Sequence, residues 1–427
     1  MNSSNSIATS RRGFLAAAGG LAAAAGIGTV SRAAALAVDA EPFYGAHQGG
    51  IATPQQRHTY FAAFDVVSKK STDLVKLLQL WTEAGARLAA GLTVRDITID
   101  DLVISDDGTA AGLGPARLTV TFGFGATLFD GGKKDRFGLA SRQPEALVDL
   151  PRFNGDQLEP GRTGGDLSVQ VCADDPQVAF HAIRELSRLG YGIVQMRWGQ
   201  TGFLPGSRPG QTPRNLMGFK DGTINPDPHS QKRVGSAAVP RGFSDVVWVD
   251  KEGPAWLRGG SFMVARRIRI SLEHWDRTPV DYQEEVVGRH KASGAPLGQT
   301  DEFAPLDLAA ADRDGNPVIA DTAHVRLAAP ASHNGAQMFR RGYSYNEATA
   351  VTAERWPPWR QGMMFDAGLL FVAYQSDPRT AFIPVFQEMA KMDAMNQFTT
   401  HVGSGLFACP PGATEGGFIG QALFDSV

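Results

Sequence analysis

The chain has 427 residues, 43% hydrophobic and 20% charged, which excludes a largely disordered protein and is too long for one ordinary domain. A formal charge of −3 argues against a nucleic-acid binder, which is usually basic. Two cysteines, Cys172 and Cys409, exclude a disulfide scaffold and a multi-cysteine zinc site; one disulfide and two buried thiols are both compatible with the count.

In chain order, the first element is an address. Ser10-Arg11-Arg12-Gly13-Phe14-Leu15 precedes an apolar run, Ala16 to Val30, with small residues near Ala33-Ala34-Ala35. This is the pattern of a twin-arginine export signal over residues 1–40, with cleavage after Ala35, Ala37 or Ala40. The run is shorter than the roughly 20 residues a membrane span needs and is diluted by Gly19, Gly20, Gly26 and Gly28, so no stable span is expected. The twin-arginine route carries folded proteins and suits one that takes up a cofactor before export.

Strand patterns follow at Tyr60 to Val67, Arg117 to Phe122, Gly192 to Trp198, Ser261 to Leu272, Ala323 to Leu327 and Arg341 to Tyr345. Helical patterns run over Thr72 to Ala90, Gln177 to Leu189, Asp281 to Lys291 and Thr380 to Met392. One stretch recurs. Leu167 to Phe180 matches Leu369 to Phe382 at a constant offset, each an apolar run ending at Asp-Pro, with Ala-Phe beyond. Asp suits a helix N-cap and Pro the first helical position. The repeat predicts two copies of one domain. The absence of strict βαβ alternation predicts an α+β fold with antiparallel sheets. Between the halves, Pro205 to Phe243 reads as a long loop, which is more often functional than not.

That loop holds Gly218-Phe219-Lys220-Asp221-Gly222-Thr223-Ile224-Asn225-Pro226. By itself this is a turn. None of the nine histidines has paired-ligand spacing, so a zinc protease is not indicated. His324, within Ala323-His324-Val325-Arg326-Leu327, is by default a core histidine; the sharper reading is a single axial haem ligand. Arg340-Arg341-Gly342-Tyr343 follows sixteen residues after His324. Trp356-Pro-Pro-Trp359 reads as a loop-borne pair of indoles.

Taken together these segments resemble the dye-decolorizing (DyP-type) haem peroxidases, in their twin-arginine-exported deferrochelatase/peroxidase branch. The likeness runs from Pro42-Phe-Tyr-Gly-Ala-His-Gln48 and Gly50-Ile-Ala-Thr-Pro-Gln-Gln56, through Phe124-Gly125-Ala-Thr-Leu-Phe129, Gly165-Asp166-Leu167 and the GxxDG motif at Gly218 to Gly222. It ends with His324-Val-Arg326, Arg340-Arg-Gly-Tyr343 and Gly403-Ser-Gly-Leu-Phe407.

The resemblance implies two ferredoxin-like halves, 41–215 and 216–427, forming a dimeric ferredoxin-like barrel with one non-covalent haem b in the C-terminal half. It implies that His324 is the proximal iron ligand, that Asp221 and Arg340 are the distal catalytic pair, and that Gly222, Thr223 and Ile224 line the haem edge. Ala329-Pro330-Ala331 falls where the family often has Asn-Pro-Arg, so Arg326 becomes the nearest surviving cation for a haem propionate.

The chemistry asks for the same residue types. A carboxyl can move the peroxide proton, a guanidinium can stabilise the departing oxygen, and a carboxylate on the ligand imidazole raises its basicity. Asp393 is the expected holder of His324, with Glu388 as the alternative. The implied activity is oxidation of dyes, phenolics or other bulky reductants by hydrogen peroxide through a ferryl intermediate. Deferrochelatase activity and an exported haem carrier are the alternatives; a carrier needs His324 but has no use for Asp221 and Arg340 together. Periplasmic or extracellular residence is expected, and a homo-oligomer is compatible with the sequence.

Overall fold

The computed structural model describes residues 39–95, 106–130, 135–206, 211–229, 242–353 and 361–425. The export signal, up to residue 38, and the 356–359 indole pair lie outside these residues.

The N-terminal half runs β1 (His58–Val66), α1 (Ser71–Ala89), β2 (Thr119–Gly125), β3 (Leu167–Ala173), α2 (Pro176–Leu189) and β4 (Val194–Phe203). Its strands are ordered β2-β3-β1-β4, all antiparallel. The C-terminal half repeats the plan. It contains β5 (Ser261–Ile270), α3 (Val280–Val287), α4 (His324–Leu327), β6 (Phe339–Arg340), β7 (Tyr343–Ala353), β8 (Gln361–Gln375), α5 (Phe382–Met392) and β9 (Thr399–Cys409). Its order is β9-β5-β8-β7, with β6 continuing the β7 edge of β8. Each half is therefore ferredoxin-like, and the fold is α+β as the sequence predicts.

The halves join at two short seams. Phe203 pairs with Ser344 between β4 and β7, and Phe124 and Gly125 pair with Ala408 and Phe407 between β2 and β9. Since β5 also pairs with β8, the sheet closes on itself. Closure leaves no long open edge at either seam. Phe61, Ala63 and Trp198 from one half meet Met263, Ala265, Leu370, Val372 and Tyr374 from the other inside the barrel. A second core packs α1 and α2 on the outer face of the N-terminal sheet, where Trp81 stacks on Phe122 and donates to Leu186 O at 2.7 Å. Cys172 and Cys409 are both buried free thiols.

The internal repeat marks equivalent places. Leu167 on β3 pairs with Phe64 of β1, and Leu369 on β8 pairs with Ile268 of β5. The capping differs between the copies. Asp175 accepts from Gln177 N and Val178 N and caps α2 directly. Asp377 accepts from Arg379 N at 2.8 Å in a preliminary turn, and α5 begins only at Phe382.

Several elements differ from expectation, three of them near the site. Ala323 to Leu327 is not a strand: Ala323 O accepts from Arg326 N and Leu327 N, and His324 O from Ala328 N, which winds one helical turn. Arg341 to Tyr345 is interrupted; β6 ends at Arg340 and β7 begins at Tyr343. The Asp281 to Lys291 pattern is shorter as a helix, because Gly288 takes φ +86° at its end.

Candidate functional site

In the C-terminal half, alternate residues of each strand face opposite ways. Met263 and Ala265 of β5 point into the barrel, while Arg266, Ile268 and Ile270 line a cavity on the other side of the sheet. On β8, Leu370 and Val372 fill the barrel and Leu369 and Phe371 line the cavity. Helix α5 closes it with one stripe, Phe382, Val385, Phe386, Met389 and then Asp393 just beyond the helix, at spacings of three, four and seven residues. The cavity measures about 270 Å³; a smaller one of about 90 Å³ adjoins it and shares Asp221, Gly222 and Arg340.

His324 begins α4 and lines the cavity. Its Nδ1 lies 2.7 Å from Asp393 Oδ2. The other carboxylate oxygen, Oδ1, accepts from Met395 N at 2.8 Å, so the turn after α5 fixes the carboxylate and the carboxylate fixes the ring. Nε2 is then the nitrogen left for the cavity. Burial alone would push the imidazole pKa down; the charge and hydrogen bond of Asp393 overcome this and hold it above the ordinary histidine range. Glu388 stands elsewhere, 3.7 Å from His333 Nδ1.

The Asp221 loop reaches the same cavity. Arg214 and Lys220 form an antiparallel bridge, and Asn215 Oδ1 accepts from Met217 N and Phe219 N. Phe219 and Met217 turn inward against Trp275. Lys220 forms an ion pair with Glu302, and Thr223 Oγ1 donates to Glu302 Oε1 at 3.1 Å. Burial would raise the Glu302 carboxyl, but hydrogen bonds from Lys220, Thr212 and Thr223 hold it below the usual carboxylate range.

The two glycines of the GxxDG motif have a conformational cause: Gly218 has φ +83° and Gly222 φ +107°. A side chain there costs roughly 1–2 kcal/mol in backbone strain. At Gly222 an added Cβ would meet nothing within 4 Å, so backbone conformation rather than space selects the residue. The turn leaves Asp221 Oδ1 3.2 Å from Arg340 Nη1, with 36% and 35% of the two side chains exposed.

Of the other residues expected to touch a cofactor, Gly222, Thr223, Ile224, Ala329 and Pro330 line the cavity. Ala331 and Arg326 are not among the lining residues. Arg326 is turned to main-chain carbonyls, Ile319 O at 2.7 Å and Leu308 O at 3.0 Å, and so holds the loop before His324. Sequence reasoning missed Arg289. It is 5% exposed, lines the cavity and spends Nη1 on Gly294 O and Glu302 O. No ion pair with a carboxylate is found for it among the described residues. It also missed Asn225, whose side-chain amide bonds the main chain of Arg340; Asn-Pro had signalled only a turn.

A mostly apolar slot, one imidazole fixed through its far nitrogen, and one buried guanidinium, Arg289, with no carboxylate ion pair among the described residues form a donor set that fits haem, a flat apolar ring with one iron to ligate and propionates to neutralise. With the closed α+β barrel, this defines the class as a haem peroxidase.

The comparisons agree. Residues 48–204 match the family model described as Dyp-type peroxidase, N-terminal, and residues 212–414 the one described as Dyp-type peroxidase, C-terminal. The dye-decolorizing peroxidase of Thermobifida fusca is 38% identical, over 98% of this chain and 97% of the relative. A deferrochelatase of Escherichia coli is 36% identical, over 96% of this chain and 94% of the relative. Ferric DtpA from Streptomyces lividans superposes with a TM-score of 0.79 at 38% identity, covering 92% of this chain and 99% of that one. The chain belongs to the Dyp-type peroxidases, and is a haem-dependent oxidoreductase that uses hydrogen peroxide and a reductant.

Proposed function

We propose that haem b is held in the cavity of the C-terminal half with iron on His324 Nε2, and that Asp221 and Arg340 handle peroxide there. The observation that carries this reading is the shared cavity of three fixed groups: an imidazole bound to Asp393, a carboxylate, and a guanidinium 3.2 Å from that carboxylate. When bound, haem supplies the iron at which peroxide is reduced and the oxidising equivalents are held.

The chain's own residues do the rest. Asp393 keeps the proton on Nδ1 and so leaves Nε2 its lone pair. Asp221 accepts the proton from one peroxide oxygen and returns it to the other. Arg340 stabilises the negative charge on the departing oxygen. Arg289 faces the cavity and is the cation for a porphyrin carboxylate; Arg326, the sequence-based choice, serves the loop before His324. The adjoining 90 Å³ cavity admits a few water-sized molecules and suits peroxide, not a dye. Dyes, phenolics or other bulky reductants are then oxidised from outside the cavity. Residues 41–215 and 216–427 are the two units of this reading.

Mixing haem-loaded Asp221→Asn and Arg340→Leu with peroxide in a stopped flow tests it. Arg340→Leu should react about 10²–10³-fold more slowly. Asp221→Asn should be slowed less, since water replaces a proton shuttle more readily than a fixed charge. Wild-type rates in both variants would remove these residues from the mechanism. The relatives named deferrochelatase favour a second reading, iron release with the porphyrin intact. Free-porphyrin fluorescence on incubation with haem, absent in His324→Ala, would support it; no such emission excludes it.

Residues 1–40 direct twin-arginine export to a periplasmic or extracellular place. Arg11 and Arg12 both exchanged for Lys should trap the precursor inside the cell, and undiminished export of that variant would refute the assignment. Among the described residues no helix is long and apolar enough to cross a membrane.

A further inference from the structure

Arg340 sits where the sheet runs out. It pairs with Ala373 at the end of β6, and the next residue, Arg341, donates its N–H to Val372 O at 2.7 Å. In an antiparallel ladder a residue turns both main-chain groups toward one neighbour, and the next residue turns its pair the other way. The N–H and C=O of Arg340 therefore face away from β8, toward the side where a further strand would lie. Asn225 meets them there. Its Oδ1 accepts from Arg340 N at 2.9 Å and its Nδ2 donates to Arg340 O at 2.8 Å. One side-chain amide replaces a strand, with a donor and an acceptor in the order the ladder needs.

Asn225 stands four residues after Asp221, and its own N–H donates to Gly222 O at 3.2 Å. Pro226, buried and fixed in φ, follows it. The loop that carries the carboxylate is thus fastened to the strand end that carries the guanidinium. On the other flank the loop is held to Glu302 by Lys220 and Thr223, neither of which touches Arg340. The Asp221–Arg340 separation of 3.2 Å is a single long contact between part-exposed groups, too weak to align two side chains by itself.

We propose that Asn225 is the positioning residue of the peroxide site: it sets the Arg340 main chain against the Asp221 loop and thereby the geometry of the pair. This deepens, and rests on, the reading of Asp221 and Arg340 as the groups that handle peroxide. Asn225 touches neither reacting oxygen; it acts through Arg340. A misplacement of about 1 Å in such a group is worth up to about 10²-fold in rate.

Two variants separate this role from simple stability. Asn225→Ala removes both bonds. Asn225→Asp keeps the shape; ionised, its carboxylate accepts from Arg340 N–H but repels Arg340 O, and protonated it again offers one donor and one acceptor. Both are prepared haem-loaded beside Arg340→Leu and wild type. Three quantities are read: the rate with peroxide, the affinity of the ferric protein for fluoride, and amide hydrogen exchange of the peptide containing Arg340 in the haem-free chain. Asn225→Ala should react roughly 10- to 100-fold more slowly, bind fluoride more weakly and exchange faster at that peptide, with the Soret band of the His324-ligated protein kept. The rate of Asn225→Asp relative to wild type should rise as pH falls through its carboxyl titration. A role in stability alone would leave that ratio flat.

The proposal is overturned if Asn225→Ala matches wild type in rate and fluoride affinity while Arg340→Leu is slow. If Asn225→Ala does not fold, a flat pH ratio for Asn225→Asp overturns it equally. If Arg340→Leu also reacts at the wild-type rate, the reading of the pair has failed, which is a different outcome.

Discussion

His401 shows how one cavity-lining residue constrains the pH range of the protein. It lines the cavity from β9, and its Nδ1 lies 3.2 Å from Arg266 Nε. Arg266 is itself fully buried, in an ion pair with Asp156 and over the faces of Phe153 and Phe386. Burial, and then the Arg266 charge, push His401 well below the ordinary histidine value of 6.5. The folded protein therefore keeps it neutral, with Nδ1 as acceptor. Above pH 6.5 the unfolded chain is neutral there as well, and the residue contributes no pH dependence. As the pH falls below 6.5 the unfolded chain binds a proton that the folded chain refuses, so stability is lost at up to about 1.4 kcal/mol per pH unit. His401→Gln keeps an acceptor for Arg266 and cannot be charged. Urea unfolding between pH 7 and 5 should show wild type losing more stability than this variant; parallel losses would mean His401 is protonated in the folded state.

At the scale of elements, legibility followed the length and regularity of the pattern. The nineteen residues of α1 show a full apolar stripe, and the expected Thr72 to Ala90 differs from Ser71–Ala89 by one residue at each end. The cavity-facing stripe of α5 was visible as Val385, Phe386 and Met389. The short Ala323 to Leu327 run was misread, because five residues with apolar ends satisfy both a two-residue and a four-residue period. Ala323 and Leu327 are both buried, as a single helical turn requires. Strand β9 drew no strand expectation, since Gly403 and Gly405 interrupt its apolar run, although its pairing with β5 spans Thr399 to Cys409. In the candidate site, the expected residues that the fold brings to one cavity are His324, Asp221 and Arg340, expected from the motifs of the resemblance, and Asp393, expected from its place beside the last helical pattern. Asn225 and Arg289 were not expected, because their partners are main-chain groups, and a carbonyl or an N–H leaves no mark in the sequence. Arg326 was chosen for its nearness to His324 in the chain, but its guanidinium turns to the Ile319 and Leu308 carbonyls.

The whole molecule is two copies of one fold put to different uses. Both sheets give one face to the barrel. The outer face of the N-terminal sheet is filled by α1 and α2 with Trp81, Phe122 and their neighbours. On the C-terminal sheet the helices stand off, and the space between them and β5 and β8 is the cavity. The closed barrel beneath gives that cavity a rigid floor, while the loop between the halves reaches over it with Asp221. Every part of this account depends on what His324 does. The alternative ligand, His333, has Nε2 2.5 Å from Leu327 O and Nδ1 turned to Glu388, so it does not stand ready to replace it. The direct measurement is the visible spectrum of the purified, haem-reconstituted protein beside His324→Ala. We expect a histidine-ligated Soret band in wild type, and its loss or a strong shift in the variant. An unchanged histidine-ligated spectrum in His324→Ala would contradict the account at its centre.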